Sequence, residues 1–204
     1  MTTQSAPTPF SITKTDTSIL VKAPFNPSFN AQAKSQLGAR FKDERWVFDA
    51  RDETAARRLV LERYGYADSE VLVSVRVTVA DELKECQDPI VRLGRVIAEA
   101  TGRDSGARLG DGVRLESGAV KSGGSTKNWT TVIADGTVLV VHDVPMRMAK
   151  IYLNEPGRNG LNVEIVGGVS TLAENSTLWT ERAKLLARVA EIDAALAEAT
   201  TTVL

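Results

Sequence analysis

The sequence predicts an α+β protein. It is expected to hold an N-terminal β-α-β-β-α module, a mixed β-rich central unit with helices, and a C-terminal coiled-coil-like helix. Three observations predict this. Val71, Val73, Val75, Val77 and Val79 alternate with partly polar neighbours, the period of a strand with one buried face. Phe29, Ala33 and Leu37 recur on one helical face between Asn26-Pro27 and Gly38, which are start and stop signals. Leu178, Leu185 and Ile192 are seven apart, and Val189 and Leu196 complete alternating three- and four-residue steps.

The elements follow in order. Residues 1–17 are rich in Thr, Ser and Pro and are expected to be a disordered tail, without the basic start and apolar region of a signal peptide. The module spans 18–67. Ile19, Leu20 and Val21 begin a strand that ends at Pro24, and the Asn26–Gly38 helix follows. A hairpin turning at Asp43-Glu44 would set Phe41 opposite Trp46, with Phe48 on the same side. Arg40, Lys42 and Arg45 would then share the other face. Asp52 caps a second helix through Ala56, Leu59, Val60 and Tyr64, and Gly65 stops it.

The central unit spans 68–168. After the valine strand, Asp88-Pro89 is expected to open a helix carrying Ile90, Leu93, Ile97 and Ala100, closed by Gly102. A glycine-rich stretch runs from Gly102 to Asn128, with short strands around Val113–Leu115 and Ala119–Lys121. Asp135-Gly136 between TTVIA and TVLVV is the strongest hairpin signal in the chain. Val144-Pro145 starts a short helix with Met148, Ala149 and Tyr152, and Leu161, Val163 and Ile165 form a last strand. The final segment, 171–204, contains an amphipathic helix from about Thr177 to Ala199. Arg182 interrupts its seam, and alanines line its outer face.

Composition narrows the function classes. The formal net charge is -1, so binding to nucleic acid would need a local basic patch. Cys86 and His142 are the one cysteine and the one histidine, which excludes an intrachain disulfide and a Cys/His zinc site. No cofactor is expected. No apolar run approaches the roughly 20 residues that span a bilayer, and a cytoplasmic location is expected.

Catalytic signals are weak. Gly123-Gly124-Ser125-Thr126-Lys127 carries phosphate-loop letters in the wrong order, and no G-x-S-x-G elbow exists. Asp104-Ser105-Gly106 with His142 could supply a nucleophile and a base, but such a tripeptide is far more often a turn. His142 reads as a partly exposed strand-end residue, Cys86 as an inert thiol, and the chain as a non-enzyme.

Two surfaces invite an anion. Lys42 and Arg45, opposite each other with Arg40 beside them, place like charges across a hairpin, which costs stability unless a ligand neutralises them. A phosphate backbone is the natural ligand, and a solvated outer face is the alternative. In the second surface, Gly123 and Gly124 allow N–H groups to turn toward an anion, Lys121 and Lys127 assist, and Trp129 stacks on a base. The alternative there is a long β-connection with Trp129 in the core.

The run ILVKAPFNPSFNAQAKSQLGARFKDERWVFDARDE resembles a HARP-type module over residues 19–66. The matching residues are Phe25, Phe29, Lys34, Arg40, Phe41, Trp46 and Phe48, the last two as the W-x-F pair. HARP modules occur in annealing helicases acting on forked DNA, so the resemblance implies DNA-structure binding. No helicase motor accompanies it, which removes remodelling. Similar short modules recur in bacterial and mobile-element proteins.

The resulting expectation is a nucleic-acid-binding protein, for DNA more than RNA and for single-stranded or structured DNA. It would assemble through Leu178, Leu185, Val189, Ile192 and Leu196 as a homo-oligomer. The alternative is an interaction protein that blocks a host nucleic-acid-handling or defence system.

Overall fold

A computed structural model of the chain describes residues 10–68 and 70–167. The α+β class is observed. The N-terminal part opens with β1 (Ser11–Lys14) and β2 (Ser18–Lys22), then α1 (Pro27–Leu37), β3 (Arg40–Lys42), β4 (Arg45–Asp49), a 3-10 turn and α2 (Glu53–Tyr64). The strands form one antiparallel sheet in the order β1-β2-β4-β3. Asn26 caps α1, whereas Asp52 stands before α2 without the expected side-chain cap bond. Asn26 Oδ1 accepts the Phe29 N–H at 3.1 Å, and Gly38 ends α1 at φ 57. Asp43 and Glu44 both have positive φ, 50 and 60, as a two-residue hairpin turn of the primed type needs.

One face of this sheet carries Ile19, Val21, Trp46 and Phe48, buried against Phe29 and Ala33 of α1 and Ala56, Leu59, Val60 and Tyr64 of α2. Each large side chain so buried contributes about 1.5–3 kcal/mol. The expected tail is corrected over its last part. Phe10 is buried, and Ile12 pairs with Val21 across β1 and β2. Phe10 and Ile12 supply a two-residue apolar period that the surrounding Thr, Ser and Pro obscure.

The second part holds β5 (Leu72–Val79), β6 (Leu83–Cys86), β7 (Ile90–Arg92), β8 (Arg95–Ala100), β9 (Ala107–Leu109), β10 (Val113–Ser117), β11 (Val120–Gly124), β12 (Trp129–Ile133), β13 (Val138–Pro145), α3 (Met146–Asn154) and β14 (Leu161–Gly167). They make three small sheets, β10-β13-β5-β14, β11-β12-β6 and β7-β8-β9. Val73, Val75, Val77 and Val79 are buried at the centre of this second core, with Leu139, Val141 and Leu161.

Two expectations are corrected here. The helix expected after Asp88-Pro89 is the β7–β8 hairpin, turning at Leu93-Gly94, where φ is 53 and 76. Ile90, Leu93 and Ile97 share a helical spacing, but Gly94 interrupts it and Val91, Val96 and Ile97 are β-branched. The strands flanking Asp135-Gly136 do not pair with each other. β12 joins β11 and β6, whereas β13 joins β5 and β10. Only Gly136, not Asp135, has positive φ, and such a turn splays its strands. In the glycine-rich stretch the expected strands are observed as β10 and β11, and β11 pairs with β12 just beyond it. The C-terminal helix lies outside the described residues. Among the described residues, no helix is long and apolar enough to cross a membrane.

The two cores meet at the β7–β8 turn. The Asn26 side-chain amide donates to the Gly94 carbonyl at 2.8 Å, and the Val96 N–H donates to the Phe25 carbonyl at 3.3 Å. A Cβ on Gly94 would lie 2.8 Å from the Arg63 carbonyl oxygen and 3.0 Å from Tyr64 Cα. Arg95 follows at once. Its guanidinium donates to the carbonyls of His142 at 2.8 Å and Asp143 at 2.5 Å, and sits 5.8 Å from the Phe10 ring centre. The described residues as far as Val166 form one compact unit.

Gly94→Ala should therefore lose about 3 kcal/mol of stability, from left-handed strain and the close backbone together. Gly136→Ala has φ 69 but open space around it, and should lose only about 1 kcal/mol. Urea denaturation of both variants measures the contrast.

Candidate nucleic-acid interface

In a sheet, residues paired across strands share a face. Trp46 and Phe48 point to the helices, so Arg45 and Val47 point away. The register then places Arg40 beside Val47 and Lys42 beside Arg45. On the other side Leu20 pairs with Val47, and Lys22 follows Val21, the partner of Trp46. Two rows result on the outer face. One runs Lys22, Arg45, Lys42, and the next runs Leu20, Val47, Arg40, with neighbouring strands about 4.8 Å apart.

The structure thus brings Arg40, Lys42 and Arg45 together and adds Lys22. All three of the predicted cations are exposed. Lys22 contacts Glu44 at 3.7 Å, and among the described residues no carboxylate lies within ion-pair reach of the other three. Asp49, further along the same face, is engaged elsewhere. Its carboxylate accepts from the Arg51 side chain at 2.9 Å and from the Arg51 N–H, and this pairing lowers its pKa to about 2. Lys22 was missed because its position beside Arg45 depends on the β2–β4 register.

The other predicted residues are not gathered. Lys121 pairs with Val132 and Trp129 with Gly124, three residues apart along β12, so their side chains leave opposite faces. Gly123 and Gly124 are spent on the hairpin. They pair with Thr130 and Trp129, and a Cβ on Gly124 would lie 2.2 Å from the Asn128 carbonyl oxygen. Lys127 sits in the turn, where its carbonyl accepts from Gln87 Nε2. Trp129 is half-buried. Leu178, Leu185, Val189, Ile192 and Leu196 lie outside the described residues.

His142 meets neither Asp104 nor Ser105 in a hydrogen bond. Its Nδ1 pairs with Ser74 Oγ at 2.9 Å, and Ser105 Oγ accepts the N–H groups of Thr101 and Gly102, a turn role. Cys86 is exposed. Among the described residues no cluster of His, Cys, Asp and Glu could hold a metal ion. Comparison with family models, curated proteins and solved structures gives no match for this chain.

The like charges across the hairpin make a measurable prediction. Lys42→Glu places opposite charges face to face with Arg45 and should raise stability by about 0.5 kcal/mol at low salt. The gain should fade as ionic strength rises, because the pair is exposed. Thermal denaturation at two salt concentrations checks both statements.

Proposed function

We propose that the protein is a non-enzymatic nucleic-acid-binding protein and that the outer face of the β1-β2-β4-β3 sheet is its contact surface. The observation that carries this is the row Lys22, Arg45, Lys42 with Arg40 in the next row. These are cations placed side by side at a cost to the fold. Arg and Lys contacts to phosphate supply most sequence-independent affinity, despite the near-neutral charge of the whole chain. The face offers no aromatic platform, because Phe41, Trp46 and Phe48 share the opposite side of the sheet. Stacking of single-stranded bases therefore has no support on this surface, and the phosphate backbone of structured or double-stranded DNA fits it better. The HARP-like residues of the same module point to DNA rather than RNA. Assembly through the C-terminal heptad seam belongs to the same proposal.

One observation favours a second reading. A net charge of -1 suits a protein partner, so the chain could instead block or scaffold another protein. A stable partner in a pull-down, together with no oligonucleotide binding, would decide for it.

A fluorescent duplex oligonucleotide titrated at low salt tests the proposal. Binding should weaken with salt, with a log–log slope of about 3 to 4 for four phosphate contacts. Changing Arg40, Lys42 and Arg45 to Ala should weaken it at least about tenfold, whereas Lys121→Ala with Lys127→Ala should leave it nearly unchanged. No binding at low salt would end the proposal.

A further inference from the structure

Phe41 is 61% exposed, while Trp46, its partner across the hairpin, is buried. The two ring centres lie 5.4 Å apart, so Trp46 supports Phe41 from one side and most of the Phe41 surface faces solvent. β3 is the last strand of its sheet, and no strand lies beyond it. Covering so large an apolar ring would be favourable, yet the fold leaves it open.

The charges around this edge define what could cover it. Arg40 and Lys42 flank Phe41 in the chain and point to the opposite face of the sheet. On the helix side, Lys34 of α1 lies 5.7 Å from the centre of the Trp46 ring. Among the described residues no carboxylate lies within ion-pair reach of these three cations. The carboxylates nearest in the chain are Asp43 and Glu44 of the turn, and Glu44 is engaged by Lys22 at 3.7 Å. An aromatic ring with cations on both sides of one strand repels a basic partner and leaves an uncharged one without counter-charge. It suits a ligand that joins a flat face to an anionic backbone, which is a nucleotide.

We propose that Phe41 is a stacking platform for one unpaired base, and that this edge selects duplex DNA carrying an extrahelical nucleotide. The inference rests on the outer face being the phosphate-binding surface. The duplex backbone lies on Lys22, Arg45, Lys42 and Arg40, and the unpaired nucleotide turns around β3 to the other side. The path is short, because consecutive Cα atoms are about 3.8 Å apart and the sheet ends there. Lys34 offers a cation on the side that the base reaches. Every base has a π face, so the selection is for an unpaired base and not for a sequence. A paired base stays within its own stack and cannot reach the ring.

Three duplexes of one sequence, titrated into the full chain at low salt, test this. One is perfectly paired, one carries a single extra unpaired adenine, and one carries an abasic residue in its place. The adenine should tighten binding at least about fivefold over the perfect duplex, and the abasic duplex should match the perfect one within about twofold. Phe41→Leu keeps an apolar cover on Trp46 without a π face. It should erase the adenine preference and leave affinity for the perfect duplex unchanged, whereas Phe41→Trp should retain the preference. The comparison of adenine with the abasic residue uses the unaltered chain, so it stands even where a variant does not fold. Equal affinity for the three duplexes, or a preference that Phe41→Leu retains, would overturn the stacking site and leave the basic face in place. Binding to none of them would end the reading of the basic face and this inference with it.

Discussion

A buried guanidinium holds the two halves of the structure in register. Arg95 leaves the β7–β8 turn and spans from the Phe10 ring of the first core to two carbonyls of the second. Those carbonyls converge because β13 carries a bulge between Val141 and Val144, with Asp143 at φ 53. In a regular strand, successive carbonyls point to opposite sides and could not both face one group. The bulge and the arginine therefore depend on each other. Gly94 supplies the second half of the constraint, since only a residue without Cβ lets the turn lie against the end of α2.

From this joint follows the division of faces. The helices α1 and α2 cover one side of the first sheet and bury its aromatic residues. The β7–β8 turn meets the module near Asn26 and Tyr64, on that helix side. The outer side keeps its cations and the half-buried Leu20 and Val47. A protein optimised for stability alone would alternate charge across the Lys42–Arg45 pair. Retaining like charge there is intelligible when the face meets a polyanion.

The parts of the structure written in local chemistry were legible in the sequence. Asn26-Pro27, Gly38 and Gly65 mark helix ends by capping, and the valines of β5 mark a strand by a period of two. The Phe41–Trp46 register followed from choosing the turn, and with it the common face of Arg40, Lys42 and Arg45. The failures arose where tertiary context decides. Ile90, Leu93 and Ile97 satisfy a helical spacing, and only the fold shows them in a hairpin. Asp135-Gly136 is a turn, as expected, but whether its strands pair depends on which sheets recruit them. Arg95 has no sequence signal at all, because an arginine after Leu-Gly looks like any solvated turn residue. The grouping of Lys121 with Trp129 failed for a simple reason of parity, since Val132, the cross-strand partner of Lys121, lies three positions from Trp129 along β12 and so faces the other side.

The central claim is that the β7–β8 turn and Arg95 make one cooperative unit of two hydrophobic clusters. Native-state hydrogen exchange on the full chain tests it most directly. Backbone amides of Val21 and Val60 in the first cluster, and of Val75 and Val141 in the second, should open with the same free energy and the same denaturant dependence. If the first cluster instead opened alone, at a free energy well below that of the second, the joint would not hold the two together and the account would be contradicted.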